Sequence, residues 1–186
     1  MKKALLILFA GVGISCFTAC KKSDSSPGSS TTFTATVNGK ATTFSISQAT
    51  LIRSEPANEK RLDIVGTSAD KSKRLVITLG LETSQGTGMT VKPYVLNAFP
   101  EDDPNTPEDE SLTTQGFTTW STTLGNGNWL TDVYHEEGLC TVTACDSTHT
   151  TISGNFQTTL RDFDTDTVVV SITDGKLSSV KYTVLN

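Results

Sequence analysis

Cys140 and Cys145 are the first residues whose type and spacing suggest chemistry. A disulfide needs Cα atoms about 4.4–6.8 Å apart. Five residues of continuous strand span about 17 Å. A bridge therefore requires a turn or bulge within Thr141 to Ala144, although Cys140, Val142 and Ala144 alternate as a strand would. The pair reads as a disulfide candidate, with two partly buried thiols as the alternative. A metal site that adds His149 and His135 is a third reading, against which the spacing matches no standard zinc pattern. The acidic run from Phe99 to Glu110 offers Asp102, Asp103 and Asp109 as weak calcium candidates, since carboxylates are hard oxygen ligands. Three prolines restrict that run and EF-hand spacing is absent. Asp162, Asp164 and Asp166 form a similar D-x-D-x-D series, but no glycine or distal glutamate completes it, and a hairpin tip fits better. Trp120, Trp129 and Tyr134, with Phe117 nearby, are ligand-binding candidates, because flat rings stack on apolar sugar faces. The favoured reading places the tryptophans in the core, where they are usually highly buried. Nucleophilic catalysis finds little support: there is no Gly-x-Ser-x-Gly elbow, and only His135 and His149 could act as base. Glycoside hydrolysis would need two converging carboxylates, and the sequence selects no pair. The reading leans away from an enzyme and calls for no cofactor.

What those residues do depends on where they reside, and residues 1–20 address that. Met1-Lys2-Lys3 is a positive start, and Ala4 to Ile14 is an apolar run. The run is short of the ~20 residues a transmembrane helix needs and suits a signal peptide. Phe17-Thr18-Ala19-Cys20 then resembles the end of a bacterial lipoprotein signal, in which cleavage precedes a cysteine that is acylated. The resemblance implies a signal peptide over 1–19 and lipidation of Cys20. Two or more acyl chains anchor stably where one binds reversibly. Lys21 follows the cysteine, so outer-membrane anchoring is expected, with periplasmic and surface faces both open. Lys21 to Thr31 is a Ser/Gly/Pro tether, with an end-to-end distance on the order of 20 Å. Loss of Lys2 and Lys3 with the signal takes the formal net charge from −5 to −7. Such a surface disfavours nucleic acid and leaves the lipid anchor, a glycan or an envelope protein as partners. An exported domain also meets an oxidising compartment, which favours the Cys140–Cys145 bridge.

The elements that position these residues are strands. The mature chain is rich in Thr, Ser, Val and Gly, and β-branched residues suit a pleated, half-buried surface. Thr32 to Val37 alternates, Asn38-Gly39 follows, and Lys40 to Ile46 reads as the return strand. Asn-Gly between alternating runs is the strongest short hairpin signal. Arg61 to Gly66 and Arg74 to Leu81 read as core strands. Met89 to Leu96 reads as a further strand, with Pro93 marking an edge or bulge. Leu112 to Thr123 pairs with Asn128 to Tyr134, and Leu139 to Cys145 with Thr150 to Arg161. Val168 to Thr173, Asp174-Gly175 and Lys176 to Val184 read as a closing hairpin. Roughly eleven strands at 8–12-residue spacing predict a single all-β domain over 32–186. A two-sheet antiparallel β-sandwich is the expected fold, with a closed or partly open β-barrel as the alternative.

Phe33-Thr34-Ala35-Thr36-Val37-Asn38-Gly39, Ile152-Ser153-Gly154-Asn155-Phe156 and Ile172-Thr173-Asp174-Gly175-Lys176-Leu177 together resemble an uncharacterised family of Bacteroidota lipoprotein domains. The similarity covers about residues 32 to 180. Its motifs are structural punctuation, and the family's function is unknown, so no catalytic residue follows. Asp146-Ser147-Thr148 and Asp166-Thr167-Val168 resemble a short O-glycan acceptor of Bacteroidota, which makes Ser147 and Thr167 glycosylation candidates. The expectation is a lipid-anchored, non-enzymatic binding or scaffolding domain. A glycan-binding accessory domain of a polysaccharide-utilisation system is the alternative, and a glycan-active hydrolase the third.

Overall fold

The computed structural model describes residues 31–54, 59–83, 86–97, 115–131 and 134–186, and every regular element among them is a strand. The strands are β1 (Thr32–Val37), β2 (Lys40–Ser54), β3 (Glu59–Ser68), β4 (Lys73–Thr83), β5 (Pro93–Leu96), β6 (Gly116–Gly125), β7 (Asn128–Thr131), β8 (His135–Asp146), β9 (Thr151–Arg161), β10 (Val168–Lys181) and β11 (Thr183–Leu185). The first hairpin forms as its turn residues require: Asn38 and Gly39 take φ of 48° and 76°. β2 does not stop at Ile46. It absorbs an irregularity between Ile46 and Gln48 and runs on to Ser54 against β3.

The strands close on themselves. The hydrogen-bonded order is β1-β10-β9-β8-β5-β6-β4-β3-β2, and β1 also pairs with β2. That ring of nine strands is a barrel, and the expected two-sheet sandwich is corrected to the alternative. The physical reason lies in β10. The Asp174-Gly175 pair, expected as a hairpin turn, is a bulge inside one continuous strand. Residues on both sides of it pair with the same neighbour, β9. Asp174 takes φ of 51°, and a Cβ on Gly175 would lie 2.5 Å from the Phe156 carbonyl oxygen. Further irregularities fall at Val168/Val170 and Leu177/Val180. Bulges bend a strand and increase its twist, so β10 curves to meet β1, which its hairpin already holds against β2. Outside the ring, β7 pairs with β6, and β11 pairs in parallel with β2 at Thr50 to Ile52.

Alternation sets inside from outside. Leu62 and Ile64 on β3 and Leu75, Ile77 and Leu79 on β4 point inward and are fully buried. Phe33 stacks on Phe44 at 4.9 Å and meets Phe156 edge-on at 5.9 Å. Gly66 makes room for this cluster, since a Cβ there would lie 2.2 Å from the Phe33 ring. Phe33, Phe156 and Gly175 thus meet in one corner of β1, β9 and β10, although they come from three separate stretches of sequence. A ring of this size has an interior that side chains fill. Charged residues such as Arg61 and Asp63, paired at 2.9 Å, face outward. An apolar inside and a polar outside invert the pattern of a membrane-spanning barrel.

Two departures from regular strands shape the ends. The expected strand from Met89 begins only at Pro93, the first position of a strand being one where proline is tolerated. The residues before it fold against the barrel end: Met89 is buried in the core, the Thr87 carbonyl accepts the Tyr182 hydroxyl, and the Gly88 carbonyl accepts Lys60 Nζ. The second departure is a fork. β5 lies parallel to β6 and touches its ladder only at Leu96–Gly116, while it pairs with β8 from Pro93 to Leu96. β5 is therefore a short wedge between β6 and β8, and beyond its end those two strands face each other without a ladder between them.

Candidate functional site

The fork holds a residue that the sequence reading passed over. Glu136 on β8 is inward and 2% exposed. Its Oε2 accepts the Thr118 backbone N–H at 2.8 Å, and Oε1 accepts the hydroxyls of Thr118 at 2.6 Å and Thr158 at 2.7 Å. The carboxyl group thereby does on β6 what a neighbouring strand's carbonyl would do. Burial pushes its pKa up from the ordinary glutamate value, and the Thr118 and Thr158 hydrogen bonds oppose that only in part. A signal for it exists in the sequence: stepping back by two from Cys140 puts Gly138 and Glu136 on the same inward face.

On the outer wall β8, β9 and β10 form a groove. One part, about 480 Å³, is lined by Thr141 on β8, Asn155 and Gln157 on β9, and Asp174 and Lys176 on β10. A second part, about 410 Å³, shares Leu139 and Gln157 and continues to Glu137, Thr159 and Thr173. The bulge at Asp174 is what breaks the flat outer face here. The groove presents amide, hydroxyl, carboxylate and ammonium groups side by side, which suits hydrogen bonding to a polar ligand.

The sequence candidates are scattered. Cys140 and Cys145 are free thiols, which corrects the expected bridge. β8 runs unbroken from His135 to Asp146, and its one irregularity, between Val142 and Ala144, turns Cys145 inward without folding the strand back. Burial holds the Cys140 thiol up to about 12. Cys145 is half-buried, with Sγ 3.6 Å from the Tyr182 hydroxyl. Among the described residues no group of three or more His, Cys, Asp or Glu side chains converges on a metal position. His149 is instead paired with Asp146 at 2.6 Å, and Asp146 also accepts the N–H groups of Thr148 and His149, closing the β8–β9 turn. Asp162 accepts the N–H groups of Asp164 and Thr165, so the D-x-D-x-D series forms the β9–β10 tip. The hydrogen bonds from His149 and Thr165 hold the Asp146 and Asp162 carboxyls below their usual range.

Trp120 is a core residue, as the favoured reading has it, and is set aside as a ligand candidate. It is 5% exposed inside the barrel, with Lys73 Nζ 5.8 Å above its ring. Trp129 on β7 is half-buried, and Tyr134 packs against the core edge. The structure does not bring the three together into one platform. Ser147 and Thr167 are exposed in turns, where a modifying enzyme can reach them. Cys20, Asp102, Asp103 and Asp109 lie outside the described residues. No family model matches the chain, and no curated protein or solved structure matches it.

Proposed function

We propose that the chain is a lipid-anchored β-barrel of the bacterial cell envelope, held through Cys20 at the outer membrane, that works by binding or scaffolding rather than by catalysis. The observation that carries this reading is the contrast between the two sides of the wall. The inside is occupied by large apolar side chains, so a ligand is met on the outside, and there the β8–β9–β10 groove offers a row of polar groups. The signal-like start, the Ser/Gly/Pro tether and the resemblance to Bacteroidota lipoprotein domains support the envelope address.

A second reading is a glycan-binding accessory domain, and the groove favours it. Asn155, Gln157, Asp174 and Lys176 are the side-chain types that hydrogen-bond to sugar hydroxyls. An array of bacterial and plant glycans probed with the full chain tests both readings. Binding weakened at least tenfold by Asn155→Ala with Gln157→Ala supports the glycan reading. Binding lost instead on Trp129→Ala moves the site to β7. Turnover of a glycan that disappears on changing one carboxylate overturns the non-catalytic reading altogether.

A further inference from the structure

Among the described residues β7, like β11, is a strand paired on one side only. It pairs with β6 from Asn128 to Thr131, and among the described residues no strand pairs with its other side. Backbone N–H and C=O groups on that side have no strand partner among the described residues and can accept another strand. Natural proteins guard such edges with Lys, Pro, an inward charge or a covering loop. The sequence here carries none of the guarding charges or prolines: from Ser111 to Thr131 there is no Asp, Glu, Lys, Arg or Pro. Apolar groups stand out instead. Leu124 is 62% exposed and Leu130 44%, with half-buried Trp129 between them on the hairpin.

We propose that this edge is a self-association surface, at which two copies of the chain pair β7 to β7, antiparallel, about a two-fold axis. The missing charge selects the occupant. In a two-fold contact each residue meets the same patch on its partner, and like charges directly opposite are destabilising. A strand bearing charges of one sign would therefore repel its own copy, which this uncharged strand does not, whereas one that recognises a charged partner carries the complementary sign. The rest of the chain is acidic, with formal net charge −5, and repels its copies everywhere except at such a neutral strip. Pairing would also bring Leu130 and Trp129 of each copy beside those of the other. Four residues of edge fall short of a standard ~1,600 Å² interface, so the pair forms where the local concentration is high.

The test uses the full chain in a bacterial host, expressed as two copies with different epitope tags. A photo-crosslinking benzoylphenylalanine replaces Leu130, or, as a control, Thr43, which is exposed on β2 and paired with Thr34 of β1, next to Phe44 where the ladder to β3 begins. The expected result is an adduct that carries both tags with the probe at Leu130 and none at Thr43. With the probe moved to Asn128, Leu130→Lys should cut that adduct at least tenfold. Absence of the adduct at Leu130, an adduct only with a different protein, or indifference to the lysine overturns the proposal. If the lysine variant fails to accumulate, the comparison of Leu130 with Thr43 decides alone.

Discussion

Glu136 shows how much one side chain can be asked to do. It replaces a strand at the β6–β8 fork, and it does so as an ionisable group that burial has made reluctant to ionise. Its folded pKa lies above the unfolded one, so the folded state binds the proton more tightly. The consequence for stability has a definite sign: the group carries no penalty below the ordinary glutamate pKa and subtracts stability as pH rises through its folded value. Glu136→Gln keeps an acceptor for Thr118 and removes the titration. The urea midpoint of that variant should be flatter between pH 4 and 8 than that of the wild type, and should match or exceed it at the upper end. Glu136→Ala leaves the Thr118 N–H buried without a partner and should cost about 1–3 kcal/mol at every pH. A variant pair that tracks the wild type's pH profile would rule out Glu136 as its source. At this scale the sequence was partly readable. The alternation that put Cys140 inside also put Glu136 there, but a carboxyl group among the Cys, Trp and acidic clusters drew no notice because its partners, Thr118 and Thr158, are far away in the chain and chemically plain.

Among elements, the Asp174-Gly175 pair is the instructive case. The same two residues that would close a hairpin here bend a strand, because both tolerate positive φ and neither use demands anything else locally. Only the partner tells them apart: β9 pairs across the whole of β10, and that is a long-range fact. The distinction is measurable. Gly175→Ala should lower stability by about 1–3 kcal/mol through overpacking, since the new Cβ meets the Phe156 carbonyl and ring. Asp174→Gly, which relieves φ of 51°, should be neutral or slightly stabilising. Denaturant unfolding of the two variants would reject the bulge assignment if Gly175→Ala were silent. By contrast, the Asn38-Gly39 turn was readable outright, because its two strands are adjacent in sequence. Trp120 was ambiguous for a reason of the same kind. A tryptophan at an alternating position faces either a ligand or a core, and closure of the ring makes that face the core.

For the whole molecule, closure matters most. Strand number and strand type could be read along the chain. The meeting of β1 with β10 could not, since a sandwich and a barrel share the same local patterns and differ in whether the last edges join. Residues 1–31 bear on the other whole-molecule proposal, attachment through Cys20. Cys20→Ser should abolish labelling with radioactive palmitate and move the chain from the membrane to the soluble fraction. A labelled, membrane-bound serine variant would refute anchoring at that residue. Closure and the proposed attachment meet at Thr32, where any pull arriving from the preceding residues would enter the barrel. β1 is hydrogen-bonded on both sides, and the Asn38 side chain fastens its far end, accepting the Ser171 N–H at 2.7 Å. A tug along the strand therefore loads two ladders in shear at once instead of unzipping one bond at a time. The six residues of β1 act as a mechanical rivet: the barrel should stay folded under drag on whatever it holds, and yield only when both seams slip together.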